Sequence, residues 1–188
     1  MKYLVLLAGC GLGDGSCIEE VILTYVALDK YGCDYTPVAE DVSIQSVNHL
    51  TEQIAEKRNI LIEAARIGRG RIKDIHEVDF AEYDALIIPG GIGLLNNYRD
   101  SNAIKTCVTH FICEKKPVAA MCAGIDFLRR FYGSNLLARE MKELTAEKFC
   151  FDAENNVYYT PAFRKTSSSY TTLLGIDSMI YALKQGNS

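Results

Sequence analysis

The chain is 188 residues long, with 48% hydrophobic and 23% charged residues and a formal net charge of −4. That size and apolar share suit one domain over residues 1–188, with a core large enough to need neither disulfides nor a structural metal. The acidic balance argues against a nucleic-acid or anionic-membrane binder, and no apolar run approaches the ~20 residues that cross a bilayer.

Lys2 to Ala8 is almost unbroken apolar sequence, the pattern of a strand buried on both faces. A glycine-rich loop, Gly9 to Gly15, follows. Ser16 is placed to cap a helix over Cys17 to Lys30, closed by Gly32, with an apolar face of Ile18, Val21, Ile22, Tyr25, Val26 and Leu28. Asp34 to Val38 reads as a second strand. The spacing then predicts a short helix over His49 to Ala55 and a better one over Arg58 to Ile67. Asp84 to Ile88 is another apolar strand, ending in Pro89-Gly90-Gly91, and Asn102 to Glu114 is helical. Pro117 to Met121 is a strand that stops abruptly at Cys122-Ala123-Gly124 and turns into a short helix. After an Arg/Lys/Glu-rich segment, Phe149 to Phe151 and Val157 to Thr160 are strands around an Asp152–Asn156 turn. The last helix runs from Ser168 to Lys184. Apolar strands alternating with helices predict an α/β three-layer sandwich, its mainly parallel sheet covered on both faces.

In such sheets ligands bind at the carboxyl ends of the strands. Three loops meet there, so Cys122, the Gly90-Gly91 amides and the start of the first helix should share one crevice. A cysteine beside a helix N-terminus is expected to favour the thiolate, which is the nucleophile. Glu19 and Glu20 occupy the first turn of the first helix, and one of them should point inward. A poorly solvated carboxyl there has a raised pKa and can shuttle a proton for a thiol.

Several rival chemistries lack their residues. Gly9-Cys10-Gly11-Leu12-Gly13-Asp14 has Asp where a dinucleotide loop needs its third glycine, and no Walker pattern is present. Cys107, His110 and Cys113 drift around one helix without a fourth ligand, so no metal is expected. His49, His76 and His110 all precede Cys122, which removes the main requirement of a Cys-His hydrolase. Arg66, Arg69, Arg71 and Lys73 read as a solvated turn. Seven cysteines, an odd number without a paired framework, point to reduced thiols and the cytoplasm. Leu6-Leu7-Ala8-Gly9-Cys10 looks like a lipoprotein cleavage box, but its apolar stretch is shorter than a signal peptide uses.

Pro89-Gly90-Gly91, Met121-Cys122-Ala123-Gly124 and Glu20 together resemble the ThiJ/PfpI superfamily, with its glutamine-amidotransferase-like, flavodoxin-type fold. Ser16 to Gly32, Asn48-His49-Leu50-Thr51, Arg58 to Ile67, Asp84 to Gly91 and Thr160-Pro161-Ala162-Phe163 are similar to its enhancing lycopene biosynthesis, or sigma cross-reacting protein, branch. That branch includes the vertebrate mitochondrial ES-one type proteins. The resemblance implies that Cys122 sits at a nucleophile elbow beside Glu20, with the Gly90, Gly91 and Ala123 amides as an oxyanion hole. It also implies a homodimer. Ile125 stands where a proline is common, Cys17 where a glutamate is usual, and the stretch between Cys122 and Thr160 is short.

The expected function is a cofactor-independent, glyoxalase-type enzyme acting on a small 2-oxoaldehyde. A non-catalytic redox-sensing or regulatory protein with an oxidisable Cys122 is the alternative, and a degenerate paralogue retained for interactions is a third possibility.

Overall fold

The apolar runs form the middle of one sheet in a computed structural model that describes residues 1–186. In chain order the elements are β1 (Lys2–Leu6), α1 (Ile18–Lys30), β2 (Asp34–Ala39), β3 (Ser43–Val47), β4 (Ile54–Asn59), α2 (Ile60–Ala65) and β5 (Lys73–Asp74). They continue with β6 (Ala85–Ile88), α3 (Ile92–Asn97), α4 (Asn102–Cys113), β7 (Val118–Met121), α5 (Gly124–Tyr132), α6 (Glu140–Glu143), β8 (Cys150–Asp152), β9 (Val157–Thr160) and α7 (Ser169–Gly186). The sheet has seven strands in the order β5-β2-β1-β6-β7-β9-β8. Only the pairing of β8 with β9 is antiparallel.

Every residue of β6, β7 and β9 is buried, as is β1 from Tyr3 onward. Both faces of these strands are therefore covered, which is why their sequences show no polar alternation. The fold is a flavodoxin-like α/β sandwich. The register Met121↔Thr160 sets the ends of β7 and β9 side by side, and the bond from Cys122 N to Thr160 O (3.2 Å) continues the ladder. Among the described residues no helix is long and apolar enough to cross a membrane.

Two local expectations fail for identifiable reasons. The predicted His49–Ala55 helix is the turn and start of an antiparallel hairpin, β3–β4, and the predicted Arg58–Ile67 helix begins only at Ile60. Asn48 takes over the backbone locally: its Oδ1 accepts from Leu50 N at 2.9 Å, and its own amide donates to Gln53 O at 2.8 Å. This is the competition with helix expected of asparagine. The hairpin also docks on the glycine loop, where Val47 N donates to Asp14 Oδ2 (2.7 Å) and Gly13 N to His49 Nε2 (3.1 Å). Those contacts are remote in sequence and leave no periodic trace.

Ser16 does not cap α1. The N-cap is Cys17, which makes no side-chain cap bond, while the fully buried Ser16 hydroxyl accepts from Ala8 N at 2.9 Å. It ties the end of β1 to the loop that leads into the site. Ser16→Ala should leave a buried amide unpaired and cost about 1–3 kcal/mol, read as a lower midpoint in urea unfolding with an unchanged m-value.

Candidate active site

Three chain turns converge where β1, β6 and β7 end. The backbone of Gly91 packs against Gly15, Ser16 and Cys17, Gly93 N donates to Gly15 O (3.1 Å), and Cys17 N donates to Gly90 O (2.8 Å). A Cβ at Gly91 would come within 2.8 Å of Cys17 N, so the two glycine loops can meet backbone to backbone only without side chains. Within the loop, Gly11 N and Gly15 N are bonded to Ser16 O and Gly11 O.

Cys122 occupies the sharp turn from β7 into α5. It is partly buried and has a φ of +48°, a conformation that costs a non-glycine residue strain and persists where the surroundings impose it. Gly124 makes the turn possible, since a Cβ there would lie 2.9 Å from Ile88 O. Across the ladder, Ala162 also has a positive φ, +49°, so a second strained residue sits on the turn that follows β9.

Of the two adjacent glutamates, Glu20 is the inward one. It is 0% exposed, and Gly90 N donates to its Oε2 at 2.7 Å. Glu19 lies on the surface, where its Oε1 accepts from the Ser169 hydroxyl at 2.9 Å. A Cβ at position 90 would approach Glu20 Oε2 to 2.5 Å and Cys122 Cβ to 2.7 Å. Gly90 is thus the residue whose bareness lets carboxyl and thiol share one space. Glu20 Oε1 has no hydrogen bond of good geometry among the described residues, and the Cys122 thiol and Phe163 amide are further groups acting on the carboxyl.

Burial pushes the Glu20 carboxyl up to about 7, against the opposing pull of the Gly90 amide, Cys122, Phe163 and Arg164. Burial, reinforced by the charge of Glu20, pushes the Cys122 thiol up to about 12, with Arg164 and the Ala123 amide acting the other way. The thiolate expected at the start of α5 is therefore not the resting form. Desolvation and a neighbouring carboxylate outweigh the helix terminus.

The amides named from the sequence are all at the crevice, in different circumstances. Gly90 N is engaged with Glu20, and the Ala123 amide acts on the Cys122 sulfur. Gly91 is the N-cap of α3, with a φ of +125°. The histidines make other contacts: His49 on the glycine loop, His76 3.8 Å from Glu40, and His110 against the rings of Phe80 and Phe111. Cys107 is buried in the core and Cys113 is exposed. Among the described residues no group of three or more His, Cys, Asp or Glu could hold a metal ion.

Arg164 was not found from the sequence. It ends the short helical turn Ala162–Arg164 after β9, ion-pairs with Asp126 of α5, and acts electrostatically on both Cys122 and Glu20. Its segment was recognisable up to Phe163. The guanidinium itself is one more arginine in a polar stretch, and only the β7–β9 pairing brings it to the cysteine.

A parallel α/β sheet with a strained cysteine at a strand–helix turn, facing a buried glutamate, defines a flavodoxin-like protein with a thiol–carboxyl crevice. The profile of the DJ-1/PfpI family matches residues 11–133, well over half of the sequence. The chain belongs to the DJ-1/PfpI family. The crystal structure of an isoprenoid biosynthesis protein with an amidotransferase-like domain from Ehrlichia chaffeensis has 31% sequence identity and a TM-score of 0.86, with 98% of each chain covered. The rat "ES1 protein homolog, mitochondrial" is 31% identical over 134 residues, which are 64% of this chain and 50% of that protein. The human "Glutamine amidotransferase-like class 1 domain-containing protein 3, mitochondrial" is 38% identical over 99 residues, 51% of this chain and 37% of that protein. The chain thus spans half or less of the length of these curated relatives. The likenesses match the lycopene-enhancing branch to which the motifs pointed.

The raised Glu20 pKa makes a signed prediction about stability. A carboxyl whose folded pKa of about 7 exceeds its ordinary 4.5 contributes stability that is fully present below about 4.5 and lost as the pH rises to about 7. Glu20→Gln should therefore gain on the wild type as pH increases, by up to about 3 kcal/mol between pH 5 and pH 8 in urea unfolding.

Proposed function

We propose that the protein is a cofactor-independent, glyoxalase-type enzyme that converts a small 2-oxoaldehyde, such as glyoxal or methylglyoxal, to the 2-hydroxy acid. The observation that carries this reading is the pairing of Cys122 with a buried carboxyl poised near neutrality. A base with a pKa near the working pH is half-ionised yet strong enough to take a proton, the condition for efficient general acid–base catalysis.

The Cys122 S–H proton passes to the Glu20 carboxylate as sulfur adds to the aldehyde carbon, so a preformed thiolate is unnecessary. Glu20 returns that proton to the new alkoxide, giving a hemithioacetal. The same carboxylate then removes the hydrogen from the former aldehyde carbon and delivers it to the adjacent carbonyl carbon, through an enediol. The product is a 2-hydroxy thioester of Cys122, and water releases the 2-hydroxy acid and regenerates the thiol. No external oxidant or reductant is consumed, since one carbon is oxidised as its neighbour is reduced. The oxyanion falls to the Gly91 and Ala123 amides in this reading, because Gly90 N–H is holding Glu20.

The redox-sensing alternative calls for a low-pKa, accessible thiol. Cys122 is partly buried and pushed upward, which favours the carboxyl-assisted reaction instead.

Purified protein given methylglyoxal or glyoxal without any thiol cofactor should form hydroxy acid. Cys122→Ala should abolish turnover, and Glu20→Gln should lower kcat by about 10²–10⁴. In the wild type, kcat/KM should climb with pH through about 7, following ionisation of Glu20. A wild-type protein that produces no hydroxy acid, or a Cys122→Ala variant that still does, refutes the proposal.

A further inference from the structure

We infer that Arg164 is a shared cation, paired with Asp126 in the resting crevice and drawn toward Cys122 when negative charge forms on the sulfur or on an oxyanion attached to it. The inference rests on Cys122 being the reactive thiol but does not require turnover of any particular substrate.

The placement comes from three connections. Cys122 N is bonded to Thr160 O, so the turn Ala162–Arg164 starts two residues beyond the strand position that holds the cysteine. Asp126 stands four residues after Cys122, on the first turn of α5, and its Oδ2 pairs with Arg164. The Phe163 amide acts on the Glu20 carboxyl from the same turn. Arg164 thus joins the turn after β9 to the first turn of α5, the two segments that flank Cys122.

Its present pairing leaves it available. Asp126 is divided between two cations, since its Oδ1 also receives Arg129 at 3.1 Å. If Arg164 turns away, Arg129 still compensates the carboxylate. The side chains of Arg164 and Asp126 are 32% and 35% exposed, so exchange of partners does not strand a buried charge. A guanidinium has five donors, and the recorded bond to Asp126 uses one nitrogen.

The charged and titratable groups that act on the thiol are Glu20 from α1, Tyr159 from β9 and Arg164 from the turn, and Arg164 is itself paired with Asp126 of α5, which also holds Arg129. Tyr159 is held neutral, pushed upward by burial. Arg164 acts on Cys122 in the direction that favours the anion, and Cys122 acts reciprocally on Arg164. With Glu20 opposing ionisation of sulfur, Arg164 is the side-chain cation acting to support it.

The test uses two variants that break the same ion pair with opposite electrostatic consequences. Arg164→Met removes the cation; Asp126→Asn removes the competitor and frees the cation for Cys122. In the full chain, iodoacetamide alkylation of Cys122 is followed against pH by mass spectrometry of its peptide, which separates it from the other six cysteines. Arg164→Met should raise the Cys122 pKa by about one unit and so displace the rate profile to higher pH, and Asp126→Asn should displace it to lower pH. At fixed pH this reads as about threefold slower and threefold faster alkylation, because thiolate nucleophilicity partly offsets its population. Arg164→Lys, which keeps the charge, should lie near the wild type. A purely structural ion pair predicts that both variants loosen the turn and move the rate the same way. Displacement in the same direction, or none in either variant, overturns the inference, whether or not the protein turns over an oxoaldehyde.

Discussion

The hydrogen bond from Gly90 N to Glu20 Oε2 is the contact around which the crevice is organised. Burying a carboxyl without a close cation is costly, and a backbone amide is a compact donor that can partly offset the cost while leaving room beside it. That donor must come from a residue with no side chain, because a Cβ at position 90 would strike both Glu20 and Cys122. One bond therefore links α1 to the end of β6 and partly offsets the burial that raises the pKa of the acid. Cys122 is then brought to that acid by the turn after β7.

Strain and strand order do the rest. Cys122 and Ala162 both adopt positive φ, at the ends of two strands paired residue for residue, and each is locked by the sheet rather than by its own preference. A rigid parallel sheet is a suitable support for this, since its central strands are buried on both faces and cannot relax. The thiol is consequently held against a carboxyl that, with burial, raises its pKa. Glu20 opposes ionisation of the sulfur, and Arg164 acts in the other direction.

The chain order of elements was largely legible. The unbroken apolar segments at Tyr3–Ala8, Ala85–Ile88 and Val118–Met121 carry a strong signal because burial on both faces leaves no tolerance for polar residues. The hairpin β3–β4 was misread because its strands are half exposed and its turn is decided by Asn48 and by docking of His49 on Gly13. Ser16 was misread in a related way. A serine before a helix is a good cap candidate, yet a buried amide at Ala8 claimed its hydroxyl. In both cases a contact distant in sequence overrode a sound local preference.

By itself the sequence determined the layered α/β architecture, and it pointed to a crevice at the strand ends holding Cys122 and a glutamate from the start of α1. Those features follow from burial patterns and from short motifs whose residues are near one another in the chain. Only the tertiary structure decided which of Glu19 and Glu20 turns inward, that burial holds the cysteine as a thiol, and that Arg164 acts on both groups. Charge states depend on desolvation and on neighbours across the sheet, and those are created by the β6–β7–β9 pairing. No local stretch of sequence encodes them.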